Sequence, residues 1–371
     1  MHIVILIGRF PPGVLGGAER QAEGWAERLC DRHRVTVVTR QEPGGYAGPE
    51  PRPGYTLLRL RRSGIALWRS YADLRAIERT VRGLEPRPDL LLCFQTFISG
   101  FAGVSLQKRL GIPAVVWIRG EGEYRLERSL RWRMIAPRVW AEATGVLVQT
   151  EEAREQLLSE IRRHRPAALE RVASHLGVVP NGIEMTPDGE SDVSSNRVLA
   201  VGRLVHEKGI DTVIDAMEGA GRPLTVAGVG PEREQLQQRA LARGVEARFE
   251  GLVAASRMRA LYRESACTVL AARFGEGLPN ALIEAMSLAR PVIGTPVTGI
   301  RELIQDGVNG LLVPPDDPRS LRAAIDRLAG DRALARRLGA EARRSVERFE
   351  WSRVRPRLEE MLERWSSRER A

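Results

Sequence analysis

Residues 267–296 read CTVLAARFGEGLPNALIEAMSLARPVIGTP and hold one complete strand–helix–strand unit. Each end of the stretch is a short apolar run with the length and composition of a buried strand. The amphipathic part between them begins at Pro279, because the first turn of a helix tolerates a missing N–H. Glu276 therefore lies in the loop before the helix, and Glu284 lies inside the helix. Such a unit predicts a parallel sheet with helices packed on its faces.

The same alternation extends along the whole chain. Six candidate strands lie in the first half, at residues 2–8, 34–39, 55–60, 89–94, 113–118 and 145–150. Six more lie in the second half, at residues 197–202, 224–229, 247–253, 267–272, 291–296 and 310–315. Pro, Gly, Asp and Ser crowd together between the two series, which is typical of a linker. The pattern predicts two doubly wound α/β domains, 1–180 and 197–350, a linker at 181–196 and a last helix within 351–371.

Size, charge and composition limit the class of protein. A chain of 371 residues with 43% apolar and 28% charged residues fits a globular protein of two domains. The net charge of +10 lies almost wholly in residues 1–180, which carry 28 Lys and Arg against 19 Asp and Glu. This excess suggests an anionic partner. Because aromatic residues make up only 5% and the charge excess is confined to one half, a specific nucleic-acid partner is not expected.

Cysteine content and hydropathy indicate the compartment. The three cysteines, Cys30, Cys93 and Cys267, are far apart and form neither a disulfide framework nor a CxxC metal site. No apolar run approaches the roughly 20 residues that span a bilayer. The sequence therefore predicts a protein of the reducing cytoplasm.

Glycine-bearing turns follow several predicted strands. None of them matches the G-x-G-x-x-G fingerprint or the P-loop, which argues against a dehydrogenase and a P-loop NTPase. In the first turn Gly16 and Gly17 precede a helix, whose free N–H groups and positive dipole end can hold a phosphate. In the second turn Arg203 and Lys208 can grip one anionic group from two sides. The chain has only one other lysine, Lys108, so the position of Lys208 is informative.

Five segments in this order resemble one enzyme family. They are GGAERQ (16–21), VPNGIE (179–184), VGRLVHEKGID (201–211), AARFGEGLPNALIEAMSLARPVIGT (271–295) and GIRELIQDGVNGLLVPPDDP (299–318). Together they resemble the retaining nucleotide-sugar glycosyltransferases of family 4, which have the GT-B fold of two facing Rossmann-like domains with a cleft between them. In that fold the first domain lies on the acceptor side and is completed by the C-terminal helix, and the second binds the nucleotide sugar.

The resemblance also implies an activity. The chain would be an enzyme of the hexosyltransferase type that needs neither a metal nor a cofactor. It would move a sugar from an NDP-sugar to a glycan, lipid-linked or small-molecule acceptor. This reaction would serve cell-surface polysaccharide or glycoconjugate synthesis. A nucleotide-sugar epimerase and a non-catalytic nucleotide-sugar-binding subunit are the alternatives.

The resemblance assigns roles to four charged residues. Glu284 would accept hydrogen bonds from the ribose hydroxyls, and Glu276 would hold hydroxyls of the donor sugar. Arg203 and Lys208 would grip the diphosphate and stabilise the charge that develops on the leaving group. Neither glutamate would be a general base, because the departing phosphate oxygen would help to deprotonate the acceptor.

Further donor contacts are implied in both domains. The backbone N–H groups from Leu278 through Pro279 to Asn280 would line the donor, and the turn at Gly16 and Gly17 would close on the phosphate. Many relatives carry a His-Gly after the strand that corresponds to residues 113–118, whereas this chain has Arg119 there. A fixed cation in that place would meet a phosphate or an acidic acceptor.

Residues 125–140 combine five arginines with Leu130, Trp132, Met134 and Trp140. A basic amphipathic helix with tryptophan can lie on an anionic membrane, which predicts peripheral contact with the inner face of the cytoplasmic membrane. A core-facing helix with a solvated arginine side is the alternative.

Overall fold

The computed structural model describes residues 1–12, 16–41, 46–61, 69–126, 129–186 and 195–367, without the side chains of residues 69–71 and 131. The chain forms two compact units. Unit 1 comprises Met1–Gly182 and Ser352–Ala371, and unit 2 comprises Ile183–Trp351. Half of the predicted linker, residues 187–194, lies outside the described residues.

Unit 1 is built on an eight-stranded sheet. Its strands are β1 His2–Leu6, β2 Arg34–Arg40, β3 Gly48–Arg52, β4 Tyr55–Leu60, β5 Leu90–Phe94, β6 Ala114–Trp117, β7 Gly145–Val148 and β8 Leu176–Val178. They lie in the order β3-β4-β2-β1-β5-β6-β7-β8, and all neighbours are parallel except β3 and β4. The helices are α1 Gly17–Leu29, α2 Arg69–Arg82, α3 Phe101–Leu110, α4 Glu121–Tyr124, α5 Leu130–Glu142, α6 Glu151–His164 and α7 Leu169–Ser174.

The six strands predicted for the first half are all present in this sheet, and two others were not predicted. β3, with sequence GPEPR, contains two prolines, which a central strand cannot hold because they donate no ladder hydrogen bond. It therefore pairs antiparallel at the edge of the sheet. β8 has only three residues and gives little periodicity to detect.

Unit 2 is built on a six-stranded parallel sheet. Its strands are β9 Val198–Val201, β10 Leu224–Ala227, β11 Ala247–Gly251, β12 Cys267–Leu270, β13 Val292–Gly294 and β14 Leu311–Leu312. Its helices are α8 Ile210–Ala216, α9 Arg233–Ala242, α10 Ala255–Arg263, α11 Asn280–Ser287, α12 Ile300–Leu303, α13 Pro318–Gly330 and α14 Arg332–Val346. The strand order β11-β10-β9-β12-β13-β14 is the doubly wound order, which reverses between β9 and β12.

Burial explains why these runs form central parallel strands. Every residue of β1 and of β5 is buried, as a strand covered by helices on both faces requires. The last helix, α15 Trp351–Ser367, packs Trp365 against β7 at Gly145. A Cβ at Gly145 would lie 2.6 Å from the indole ring, so glycine is needed for this helix to dock.

Candidate active site

Two loops meet at the point where the strand order of unit 2 reverses. β9 and β12 are neighbours in the sheet, and the loops after their carboxyl ends carry Lys208 and Glu276. The Nζ atom of Lys208 lies 2.5 Å from Oε1 of Glu276, and both side chains are largely buried. The structure therefore joins two predicted site residues that are 68 positions apart in sequence. Ligands of doubly wound sheets bind outside the carboxyl ends of strands at such a switch point.

The turn that carries Lys208 is fixed by a close backbone approach. Lys208 ends a single 3₁₀ turn, His206–Lys208, and α8 begins two residues later at Ile210. Gly209 follows with a φ of 62°, a left-handed conformation that glycine adopts without strain. A Cβ at Gly209 would overlap the carbonyl oxygen of Ala271, so the loops after β9 and β12 are in direct backbone contact there.

Arg203 is placed differently from Lys208. Its side chain is exposed, and it makes no hydrogen bond or ion pair with any residue that the structure describes. It leaves the end of β9 in the same loop, so its charge lies on the loop that carries Lys208.

Arg273 holds the Lys208 turn and was not predicted from the sequence. Its guanidinium makes a two-point bond to Asp211, at 2.8 Å to each carboxylate oxygen, and a 2.5 Å bond to Asp316. It also donates to the carbonyl oxygen of His206 at 2.6 Å. Partial burial opposes ionisation of Asp211, but the hydrogen bonds and charge of Arg273 outweigh it and lower the pKa of that carboxyl group. One guanidinium from the loop after β12 thus holds both the Lys208 turn and the start of α8.

The loop that carries Glu276 is supported by the turn before α12. The N–H of Glu276 donates to the carbonyl oxygen of Thr298 at 2.9 Å. Gly299 has a φ of 79°, and a Cβ there would overlap the carbonyl oxygen of Gly277. The turn at Gly299 therefore supports the loop that carries Glu276.

Helix α11 begins one residue later than predicted. Pro279 is its N-cap, and the carbonyl oxygen of Pro279 accepts from the N–H groups of Leu282 and Ile283. Because proline has no N–H, Pro279 cannot contribute a backbone donor, and the prediction of N–H groups from Leu278 to Asn280 was wrong at its central position. Leu278 itself is buried.

Glu284 lies on α11 with a partner of its own. The buried Tyr262 of α10 donates its hydroxyl to Oε2 of Glu284 at 2.9 Å. Glu276, in contrast, lies in the preceding loop beside Lys208. The two glutamates of the motif thus have different neighbours, as the position of Pro279 between them predicted.

In unit 1 the predicted phosphate turn precedes α1. Gly16 is the N-cap of this helix, and Gly17 is its first residue. The carboxylate of Glu19 lies beside Gly16, close enough to overlap a Cβ of residue 16. The helix end that was predicted to hold a phosphate thus has a negative charge of its own.

Arg119 lies at the carboxyl end of β6 in unit 1, packed on aromatic rings. Its guanidinium carbon is 4.9 Å from the ring centroid of Trp117 and 5.3 Å from that of Phe94. Its Nη2 donates to Oδ1 of the buried Asn181 at 2.6 Å, while its Nε and Nη1 are buried without a hydrogen-bond partner among the described residues. Burial lowers the pKa of Arg119 to about 9, although the charges of Glu123 and Glu19 act against this. The side chain is therefore still a cation at neutral pH.

The described residues contain neither a metal-binding cluster nor a helix that could span a membrane. No group of three His, Cys, Asp or Glu side chains could hold a metal ion in the described residues, which are 1–12, 16–41, 46–61, 69–126, 129–186 and 195–367. No helix in those ranges is both long and apolar enough to span a bilayer.

The fold and the two family matches define the class of protein. The model described as Glycosyl transferase 4-like domain matches residues 16–175, and the model described as Glycosyl transferases group 1 matches residues 184–345. The chain is thus a glycosyltransferase of the GT-B fold. It belongs to the family 4 type, as the motifs of the sequence predicted.

Two curated relatives illustrate the match. An exopolysaccharide phosphotransferase of Streptomyces coelicolor is 33% identical over 218 residues, which are 56% of this chain but only 22% of that protein. An α-1,4-N-acetyl-D-galactosaminyltransferase of Campylobacter jejuni, whose name gives a diNAcBac-PP-undecaprenol glycan as its substrate, is 24% identical over 347 residues. That alignment covers 91% of this chain and 92% of the relative.

Solved structures share the fold. Sucrose-phosphate synthase from Thermosynechococcus elongatus superposes with a TM-score of 0.85 at 21% identity, covering 98% of both chains. HepE of Anabaena, solved in complex with UDP-glucose, superposes with a TM-score of 0.80 at 18% identity, covering 98% of this chain and 99% of HepE. The predicted α/β class and GT-B fold are confirmed.

Proposed function

We propose that this protein transfers a sugar from a nucleoside diphosphate sugar to an acceptor in polysaccharide or glycoconjugate synthesis, with retention of configuration and without a metal ion. The observation that carries the proposal is the contact of Lys208 with Glu276 at the switch point of the unit 2 sheet. A paired cation and carboxylate at that point offer one group to a diphosphate and one to sugar hydroxyls. HepE of Anabaena, a structural neighbour, binds UDP-glucose, which supports a nucleotide-sugar donor.

Charge development during the reaction determines the proposed roles. When the bond between sugar and phosphate breaks, negative charge grows on the nucleoside diphosphate. Lys208 then breaks its ion pair with Glu276 and binds the negatively charged diphosphate. Arg203, which has an exposed guanidinium on the same loop, adds a second cation. Glu276 then accepts hydrogen bonds from the donor sugar, and Glu284, oriented by Tyr262, accepts those of the ribose.

The roles in unit 1 and at the start of α11 rest on the family resemblance. In this proposal Gly16, Gly17 and Arg119 are donor contacts of unit 1, and Leu278 and Asn280 are donor contacts of unit 2. The aromatic packing of Arg119 keeps its guanidinium in one orientation, which suits recognition of an anionic group.

Lys208→Met tests the central role. The chain's other lysine supplies a matched control, because Lys108 lies on α3 of unit 1 and pairs with Glu142 at 2.8 Å. We expect Lys208→Met to lower kcat about 100-fold, the usual cost of removing one group that stabilises developing charge, and to weaken donor binding less. Lys108→Met is expected to leave kcat unchanged. Wild-type turnover in Lys208→Met would refute the role, and donor isomerisation without any acceptor would indicate an epimerase.

A peripheral membrane contact through α5 is the second part of the proposal. Leu130 and Met134 lie one turn apart and are exposed, whereas Trp140 is fully buried. Two of the arginines in this region are already paired, Arg138 with Glu142 and Arg125 with Glu121, so their charge is partly neutralised. The membrane contact is thus proposed to depend mainly on the two exposed apolar side chains.

Co-sedimentation with vesicles of anionic phospholipid tests this contact. The double variant Leu130→Ser/Met134→Ser is expected to lose binding, whereas Leu241→Ser, which changes an exposed leucine on α9 of unit 2, is expected to retain it. Absence of wild-type binding at low salt would remove the membrane contact and leave the transferase activity untouched.

A further inference from the structure

A cavity lies within unit 1, where the chain leaves β5. Its volume is about 370 Å³, which falls in the range of small-ligand sites. We call it the aromatic pocket. It is lined by Gln95, Phe97, Gly122, Glu123, Ser129 and Trp132.

Two aromatic rings form its walls. The ring centroids of Phe97 and Trp132 lie 5.6 Å apart, with the ring planes at 64°. The indole is held in place because its Nε1 donates to the carbonyl oxygen of Glu123 at 2.7 Å. Phe97 is 59% exposed, although phenylalanine is usually buried. An open cavity with fixed, solvent-facing rings is typical of a ligand site.

The backbone that presents Phe97 is held in an unusual shape. Gln95 has a φ of 75° and Ile98 a φ of 64°, in a region that residues other than glycine rarely adopt. One carboxylate stabilises this turn: Glu123 accepts the N–H of Thr96 at 2.6 Å and the N–H of Arg119 at 2.7 Å. Because both oxygens of Glu123 already accept a backbone N–H, this carboxylate stabilises the turn rather than a ligand.

The polar groups that remain for a ligand are neutral. The side-chain amide of Gln95 makes no hydrogen bond with any described residue, so both a donor and an acceptor are available there. Among the described residues, the exposed hydroxyl of Ser129 accepts one long bond of 3.4 Å, from the N–H of Trp132. Neutral hydrogen-bonding groups beside aromatic faces match a ring with hydroxyls on its edge and C–H groups on its faces. None of the six lining residues is an arginine or lysine, the side chains that commonly bind a phosphate.

We propose that the aromatic pocket binds a neutral pyranose ring of the acceptor glycan. Trp132 and Phe97 pack against the C–H faces of the ring, and Gln95 and Ser129 hydrogen-bond its hydroxyl groups. The assignment to the acceptor rests on the proposed transferase function, whereas the assignment to a sugar rests on the pocket itself.

Saturation-transfer NMR tests the sugar assignment, with the methyl glycosides of glucose, galactose, mannose, N-acetylglucosamine and N-acetylgalactosamine as probes. The wild-type protein is expected to transfer saturation to at least one of them. Phe97→Ala is expected to reduce that signal about fivefold, the usual contribution of one aromatic contact. Gln95→Ala tests the polar wall and is expected to reduce the signal as well. Phe101→Ala is the matched control, since Phe101 is 45% exposed, lies four residues away and does not line the pocket.

Two results would overturn the proposal: no saturation of any glycoside by the wild type, or equal signals in Phe97→Ala and the wild type. A thermal-shift measurement with nucleotide sugars on the same samples separates this proposal from the proposed function. Stabilisation by a nucleotide sugar without a Phe97-dependent glycoside signal refutes the pocket alone. A Phe97-dependent signal without stabilisation by any nucleotide sugar supports the sugar site and refutes its assignment to the acceptor.

Discussion

Replacing Arg273 with alanine should damage both stability and catalysis. Its side chain is 9% exposed, and its guanidinium joins Asp211, Asp316 and the carbonyl oxygen of His206. Breaking a buried ion pair costs about 3–5 kcal/mol, and an exposed pair contributes below about 1 kcal/mol. Because the guanidinium is buried and both carboxylates are partly exposed, the expected loss in the free energy of unfolding is about 2–3 kcal/mol.

The catalytic part of this prediction follows from the position of Lys208. The carbonyl of His206 belongs to the same 3₁₀ turn as Lys208, so loss of Arg273 releases the turn that places the Nζ atom. A displacement of about 1 Å in a catalytic group can reduce turnover about 100-fold. We therefore expect kcat to fall by about ten- to 100-fold in Arg273→Ala. Arg273→Lys should recover little, because an ammonium group cannot make the two-point bond to Asp211.

The assays are urea denaturation for stability and release of nucleoside diphosphate for turnover. Arg239 supplies the matched control, since it makes the same kind of two-point bond, at 2.8 and 2.5 Å, to Asp215 on the same helix α8. Arg239→Ala should lose stability without a specific loss of kcat. If Arg273→Ala lost stability but kept wild-type kcat at a temperature where it is folded, the positioning role would be refuted.

Two further predictions concern single contacts. Tyr262→Phe removes the hydroxyl that orients Glu284, so it should weaken binding of the nucleoside diphosphate about three- to tenfold, as measured by calorimetry. Tyr124→Phe in unit 1 is the control and should leave binding unchanged. The second prediction concerns pH. Burial lowers the pKa of His33, and the nearby Glu359 raises it by less. As the pH falls, the imidazole is therefore protonated in the unfolded chain before it is protonated in the folded protein. The free energy of unfolding should therefore fall as the pH drops below about 6.5, with a smaller slope in His33→Phe, and equal slopes would contradict the reasoning.

The sequence predicted most of the candidate site because the site lies at strand ends, which local patterns reveal. The runs around Arg203, Lys208 and Glu276 are short and apolar with a glycine turn after each, so their place at the carboxyl edge of a sheet follows from periodicity alone. The separation of Glu276 from Glu284 followed from one residue, Pro279.

What the sequence did not reveal depends on long-range contacts. Arg273 is one of many arginines, and its partners lie 43 to 67 positions away, so no local pattern distinguishes it. Glu19 is a local exception, because it lies only three positions after Gly16 and the sequence does not show that its carboxylate turns back onto that glycine. In the 125–140 segment, hydrophobicity did not separate the buried Trp140 from the exposed Leu130, because both follow the helical period.

Binding of a nucleotide sugar to unit 2 can be measured by the melting temperature of the wild-type protein with UDP-, GDP- and ADP-sugars. A ligand that binds only the folded state adds about 2.7 kcal/mol at a concentration of 100 times its Kd. We predict that sugars of one base raise the melting temperature at millimolar concentration and that Glu284→Ala removes most of this rise. No rise with any of the three groups of sugars would refute nucleotide-sugar binding by unit 2.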